Sequence, residues 1–348
     1  MTTGSGATSG LAIGERFARA KKFQQRYAPF IALAIGARAR ALSHHGVDFA
    51  PKAVALLALA WMLPFALARW AARPATASES APAPTTLAQR LARVASTTVV
   101  VALYRNVLFF LVPIWFGSAT ISSINILFPL ALAGMALFSC FDATYRALVL
   151  ERPAARTAWG FVILFAALVP AVAVVASLSP RWAAIVSAAI AFFVTGAALL
   201  PRERLFNRRS QTRITAAAAI GAVVITVIAP GLPPVPIVCH RAAFGTAIDD
   251  RELDGAAPRF PAGTARLYAW FAVTLPAVYR QGINFQWFHD GRAAGRPIAS
   301  SVTGGRKEGF RTWSYLSAPP AAGEWRVDVL TDAGQLICRE SAAVEGAP

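Results

Sequence analysis

Two sets of residues have types and spacings that could do chemistry. Arg105 and Asn106 stand in the apolar run Thr97–Phe116, and Asp142 and Tyr145 follow the next run, Ala119–Cys140. A guanidinium at mid-bilayer costs about 2.5–3.5 kcal/mol on insertion scales, so it needs a partner. Asp142, at the end of the next run, is the first acid that follows, and these four residues could build a polar relay or a headgroup site between helices. In the alternative, the start of the run lies in the interface and Arg105 snorkels to the aqueous side. Asp142 then has Arg146 at i,i+4 to pair with. The second set is Trp287, His289, Arg311 and Trp313. Indole and guanidinium groups suit stacking on sugars or contact with acidic groups. Against this, Trp287 and Trp325 have apolar neighbours on the same side of their strands, which favours core packing.

Other chemistries lack their residues. His44-His45, His240 and His289 have no metal-ligand spacing, so no metal and no cofactor is expected. There is no nucleophile elbow, phosphate-binding loop or dinucleotide-binding glycine pattern. The acidic stretch 249–254 (DDRELD) lacks the alternation of a calcium loop and reads as a solvated loop. Cys239 and Cys338 fall near the two ends of the C-terminal region. Either they form a disulfide, or they are two small buried residues; a Cα separation above about 7 Å excludes the bridge.

The elements that must position these groups begin with apolar runs. Of 348 residues 56% are hydrophobic and only 15% charged, against about 25% charged in ordinary soluble domains. Runs of about 20 apolar residues read as membrane-spanning helices. Val54–Trp70, Thr97–Phe116, Ala119–Cys140, Ala158–Leu178, Trp182–Leu200 and Ile214–Pro230 are such runs. Tyr27–His45 is either a poor first span or an interfacial helix, so six or seven spans are expected. Residues 1–26 carry no long apolar core and read as a basic tail, so the first membrane segment is expected to direct insertion.

The net charge of +17 is unevenly placed. Residues 1–229 hold 22 Lys/Arg against 6 Asp/Glu, whereas residues 230–348 hold 12 against 11. From Arg69 onward, segments between apolar runs alternate between basic and nearly uncharged. That is the positive-inside pattern rather than a nucleic-acid footprint, and no nucleic-acid partner is expected. It places the basic segments in the cytoplasm, the N-terminus with them, and everything after Pro230 on the far side. The segment PGLPPVP (230–236) reads as a semi-rigid spacer that holds the next domain off the lipid.

From Ile237 the periodicity changes to two. Leu267–Thr274, Ile283–His289, Arg296–Val302, Phe310–Leu316, Trp325–Val329 and Gln335–Glu340 read as strands, with an opening strand near Ile237–Ala243. Asp290-Gly291 marks a two-residue hairpin turn. Seven or eight short strands at this spacing predict an immunoglobulin-like β-sandwich. About 110 residues can bury a core of their own.

The stretches FPAGTARLYAWFAV (260–273), FQWFHDGR (285–292), GFRTWSYL (309–316) and GEWRVDVLTDAGQLI (323–337) resemble the bacterial domain-of-unknown-function family numbered twenty-nine fourteen. That family's pattern runs Phe-Pro-x-Gly, Trp-x-His/Asn-x-Gly, Arg-Thr-Trp-Ser and Gly-x-Trp-Arg-Val. The resemblance covers residues 237–345, and LYRNVLFFLVPIWF (103–116) looks like the multi-pass region that precedes the domain in some members. The family has no assigned activity, so the resemblance implies an architecture and no reaction.

The expected protein is a membrane all-α bundle followed by an all-β immunoglobulin-like sandwich. Its parts are a basic cytoplasmic tail (1–26), a polytopic membrane domain (27–230), a Pro-rich linker (231–236) and a periplasmic sandwich (237–348). The expected location is a bacterial inner membrane. The expected role is non-enzymatic binding or scaffolding, with the lipid bilayer and an envelope polymer, lipid or protein as partners. A membrane-embedded enzyme or transporter with a polar site between the helices is the alternative.

Overall fold

The computed structural model describes Ala34 and residues 104–199, 207–277, 279–306 and 308–346. The expected spans at 27–45 and 54–70 lie outside the described residues, apart from Ala34.

The helical part opens with α1 (104–117), followed by a turn and a short 3-10 segment, Ile124–Ile126. Next come α2 (Leu127–Phe138), α3 (Asp142–Tyr145) with a π-helical turn at Arg146–Leu150, α4 (Pro153–Val175), α5 (Pro180–Leu199) and α6 (Arg208–Ile228). Pro153 lies in the first turn of α4, where its missing N–H costs nothing. Asn207 caps α6 by accepting a hydrogen bond from Arg209 N at 3.1 Å. The helical core includes Leu108, Leu111, Trp115, Leu132, Ile163 and Ala188. Trp115 packs at a tilt against Phe128 at 4.4 Å, and its indole N–H donates to the Ala166 carbonyl at 3.0 Å, tying α1 to α4.

The span count differs from the expectation of six or seven. Among the described residues, three helices are long and apolar enough to cross a membrane: Pro153–Val175, Pro180–Ala197 and Arg208–Gly231. A fourth is reached only if a bent pair counts as one span. That pair is where Ala119–Cys140 was expected to cross as a single helix. Instead, Ile124–Phe138 and Asp142–Leu150 meet at 107°. The run has the composition of a span, but Arg105 donates to the Ser139 carbonyl at 2.6 Å and to Asp142 Oδ1 at 2.5 Å. A cation there satisfies carbonyls that a helix end leaves unpaired, and it holds the next segment in a turned position.

The C-terminal part is β-rich. Its strands are β1 (Val238–Gly245), β2 (Ala247–Asp249), β3 (Glu252–Asp254), β4 (Arg259–Phe260), β5 (Tyr268–Thr274) and β6 (Arg280–His289). They continue with β7 (Arg292–Ala293), β8 (Ile298–Thr303), β9 (Phe310–Tyr315), β10 (Gly323–Thr331) and β11 (Leu336–Val344). The expected strands are present within a few residues; β2, β3, β4 and β7 are short additions. One sheet has the order β1-β5-β9. The other has β4-β11-β10-β6-β7, with β8 also on β6. All pairings are antiparallel except β4 with β11. The β6–β7 turn places Asp290 at φ 46° and Gly291 at φ 78°, the left-handed pair that a two-residue hairpin needs. Phe271 and Val273 from one sheet share a single core with Ile283, Phe285, Trp287 and Val327 from the other. Period-two alternation makes this possible, because each strand sends every second side chain inward.

The two parts are not separated by a spacer. Leu232 and Val235 are buried in the helical core, Ile237 is buried in the sheet core, and Pro233 and Pro234 are buried too. The prolines stop the helix, as their chemistry requires, but apolar neighbours on both sides pack the segment down. Three helix ends meet the sheets. In the α1–α2 turn, Asn125 Nδ2 donates to the Leu336 carbonyl at 3.1 Å and Thr120 Oγ1 to the Ile337 carbonyl at 3.3 Å. Arg339 donates to the Ser122 carbonyl at 2.9 Å. In the α4–α5 turn, the Leu178 carbonyl accepts from the Tyr279 hydroxyl. After α6, the Leu232 carbonyl accepts from Gln335 Nε2 at 3.4 Å. The basic residues Arg146, Arg152, Arg156, Arg208, Arg209 and Arg213 lie at the opposite helix ends.

Candidate functional site

The two sequence-derived sets meet different fates. In the helices, Arg105 and Asp142 come together as an ion pair at 2.5 Å, with Arg105 only 6% exposed. Tyr145 is fully buried beside them and packs edge-on against Trp159 at 5.3 Å and Phe138 at 6.3 Å. Arg105 Nε, Asn106 Oδ1 and Trp159 Nε1 are buried without a hydrogen-bond partner among the described residues. The arrangement is a helix-break clamp with spare polar atoms beside it.

The second set is split between the sheets. Trp287 and His289 lie on β6, whereas Arg311 and Trp313 lie on β9. Trp287 is no surface residue: it is 2% exposed and its indole N–H donates to Ser314 Oγ at 2.9 Å, bridging the sheets through the core. His289 is half-buried, stacks on Trp325 at 4.4 Å and contacts the Ala322 carbonyl at 3.0 Å. It lies at the end of β6, paired with Trp325 on β10 and Arg292 on β7. The four residues therefore do not form one face.

Arg311 and Trp313 do belong to a face, which they share with residues of the neighbouring strands β5 and β1. On β9, Thr312 and Ser314 are buried, so Arg311, Trp313 and Tyr315 point outward. On β5 the core takes Ala269, Phe271 and Val273, leaving Tyr268, Trp270 and Ala272 outside. The register then builds three rows across the outer side of the small sheet. Arg241, Ala272 and Arg311 align in the row nearest the helices; Trp270 and Trp313 form the middle row; Tyr268 and Tyr315 form the far row. The two Tyr rings are 5.5 Å apart, and Arg266 lies 5.1 Å over Tyr315. The β2–β3 hairpin covers Trp270, whose indole N–H donates to the Arg251 carbonyl at 2.9 Å. Tyr315 is exposed, and Trp313 and Tyr268 are partly so. Their signal was the outward half of two alternating strands; which strands pair was not in the sequence pattern.

At the helix-proximal end of this face is a cleft of ≈ 250 Å³ lined by His240, Arg241, Glu252, Trp270, Glu308 and Arg311. Arg311 reaches Glu252 at 2.6 Å and Glu308 at 2.9 Å. Arg241 lies 5.5 Å over the Trp270 ring. A smaller hollow adjoins it, lined by Arg306, Glu308, Gly309 and Arg311. No group of three metal-ligating side chains occurs among the described residues. The face can stack planar rings and pair with charges of both signs.

Cys239 on β1 and Cys338 on β11 are joined by a disulfide, with their Cα atoms 5.7 Å apart. It ties the small sheet to the large one beside the junction with the helices. Cys140 is free.

No curated protein matches this chain. Its β6–β11 region, residues 280–341, matches the family described as a protein of unknown function (DUF2914).

Proposed function

We propose that this chain is a non-enzymatic binding or scaffold protein of a bacterial inner membrane, presenting its sheet region in the periplasm. The order β1-β5-β9 facing β11-β10-β6-β8 supports an immunoglobulin-like sandwich, as does the parallel strand β4 on β11. The helix ends in contact with the sheets are the weakly charged ones, and the basic stretches lie opposite. Basic segments stay cytoplasmic, which favours a periplasmic sheet region. An oxidising compartment also suits the Cys239–Cys338 bridge.

The observation that carries the binding role is the outer face of the small sheet. Trp313, Tyr268 and Tyr315 are accessible aromatics flanked by Arg266 and Arg311, on a domain fixed to the helices by hydrogen bonds. Such a face suits an envelope glycan, whose rings stack on indole and phenol while acidic groups meet guanidinium. Site-specific photo-crosslinking in cells tests it, with a benzophenone amino acid at position 313 or 315 and a control at position 300 on the other sheet. Glycan-digestible adducts at 313 and 315, absent at 300, are expected. Adducts to a protein would identify a scaffold, and no selective adduct at all would remove the binding role.

A second reading, a membrane enzyme or transporter, draws on the buried unpartnered atoms of Arg105, Asn106 and Trp159. Solvent-accessibility labelling at position 106 separates it from the anchor reading. A water-filled site would react, and a packed bundle would not.

A further inference from the structure

We infer that the cleft at the helix-proximal end of the small sheet binds the headgroup of a zwitterionic phospholipid of the phosphoethanolamine type. This rests on the reading that the helices cross a bilayer with the sheets at its surface, and goes beyond it in naming a ligand and its site.

Height comes first. The Tyr279 hydroxyl donates to the Leu178 carbonyl at the top of the α4–α5 hairpin, so Leu275 and Tyr279 sit at the membrane boundary. Gly304 N donates to the Tyr279 carbonyl at 2.8 Å and Gly305 N to the Leu275 carbonyl at 3.4 Å, pinning the segment that carries Arg306 and Glu308 to the same level. Ala272, in the row with Arg241 and Arg311, is three residues up the strand from Leu275, roughly 10 Å at a strand's rise. A headgroup layer is about 5–8 Å deep on each side of the hydrocarbon. The smaller hollow therefore lies within that layer and the larger cleft just above it. Trp182, 59% exposed in the first turn of α5, marks the same boundary.

Charge comes second. Arg311 is held between Glu252 and Glu308. Arg241 and Arg306 are different: each lies over an aromatic ring, Trp270 at 5.5 Å and Phe310 at 4.9 Å. Neither has a carboxylate partner among the described residues. A guanidinium seated on a ring keeps its N–H edge free for a phosphate. Glu308 stands between them, with its side chain 81% exposed. A simple anion would meet Glu252 and Glu308 as repulsion. A headgroup with a phosphate and an ammonium about one ethylene apart satisfies both signs, phosphate on Arg241 or Arg306 and ammonium on Glu308.

The test uses the full chain in mixed micelles with equal amounts of phosphatidylethanolamine, phosphatidylcholine and phosphatidylglycerol, and native mass spectrometry of the lipids retained. Losing one charge-assisted hydrogen bond corresponds to about tenfold in occupancy or more. The parent should therefore retain the ethanolamine lipid about tenfold over both others. Glu308→Gln should bring the ethanolamine lipid toward parity with the others, and Arg241→Gln together with Arg306→Gln should lower retention of all three phosphate-bearing lipids, all at exposed positions and with unchanged thermal melting. Parity in the parent, preference for phosphatidylglycerol, a preference that survives Glu308→Gln, or total retention unchanged by loss of the two arginines overturns the proposal. So does equal binding of water-soluble glycerophosphoethanolamine, which would assign the cleft to a soluble ligand. Loss of cross-links at position 313 would not alter any of these readouts, so the two proposals fail separately.

Discussion

The side-chain amide of Asn125 donates to the Leu336 carbonyl at 3.1 Å, across the junction between the helices and the sheets. Its Oδ1 accepts from Thr120 N at 3.0 Å, and the residue is 0% exposed. One buried side chain thus holds the α1–α2 turn in shape and fastens it to β11.

Asn125→Ala leaves the Leu336 carbonyl and the Thr120 amide without these partners. A buried polar group deprived of its partner costs about 1–3 kcal/mol. The variant should melt earlier in detergent, and protease should cut first between residues 229 and 237. Cleavage unchanged from the parent would mean that the junction does not depend on this residue.

Non-reducing peptide mapping should find Cys239 linked to Cys338 and Cys140 free. Replacing both bridged residues with Ser should cost about 2–5 kcal/mol, the range for a native disulfide in a small domain. Chemical denaturation of the parent with and without reductant measures the same quantity.

Arg105 and Asp142 should be measurably coupled. A double-mutant cycle with Arg105→Gln and Asp142→Asn is expected to give an interaction energy of about 0.5–3 kcal/mol, the range for residues in contact. The value should fall toward the low end, because the Asp142 side chain is 59% exposed and solvent screens it. Additive effects would show that the helix break is held by something else.

Trp287 and Trp313 should behave oppositely. Trp287→Ala opens the shared core and should cost about 3–5 kcal/mol. Trp313→Ala removes a partly accessible ring and should cost less than about 1 kcal/mol, while abolishing cross-linking on that face. Denaturant melts of the two variants side by side check this.

Burial holds the Tyr279 phenol well above the ordinary tyrosine value of 10.0, and its proton is the one donated to Leu178. A group whose pKa is raised on folding stabilises fully below its unfolded value and loses that contribution as pH rises beyond it. Stability from this contact should therefore be intact up to about pH 10 and decline at higher pH. Tyr279→Phe should remove that alkaline loss, read by hydrogen exchange at residues 275–279.

Apolar runs and the switch to period-two alternation were enough to divide this chain into helices followed by strands, because both patterns report local periodicity against water or lipid. Those patterns also put Arg311, Trp313 and Tyr315 on one side of their strand. The break at Ser139–Phe141 was invisible in composition, since it depends on a guanidinium 34 residues away from Ser139 in sequence. The same holds for the prolines at 233, 234 and 236, which read as a spacer until Leu232, Val235 and Ile237 are seen buried on either side of the junction. Strand pairing divided Trp287 from Trp313 and set Arg241 and Arg311 on either side of Ala272. Periodicity tells a side chain which way to point; which neighbour it then meets is settled by contacts distant in sequence, where packing of the whole chain outweighs any local preference.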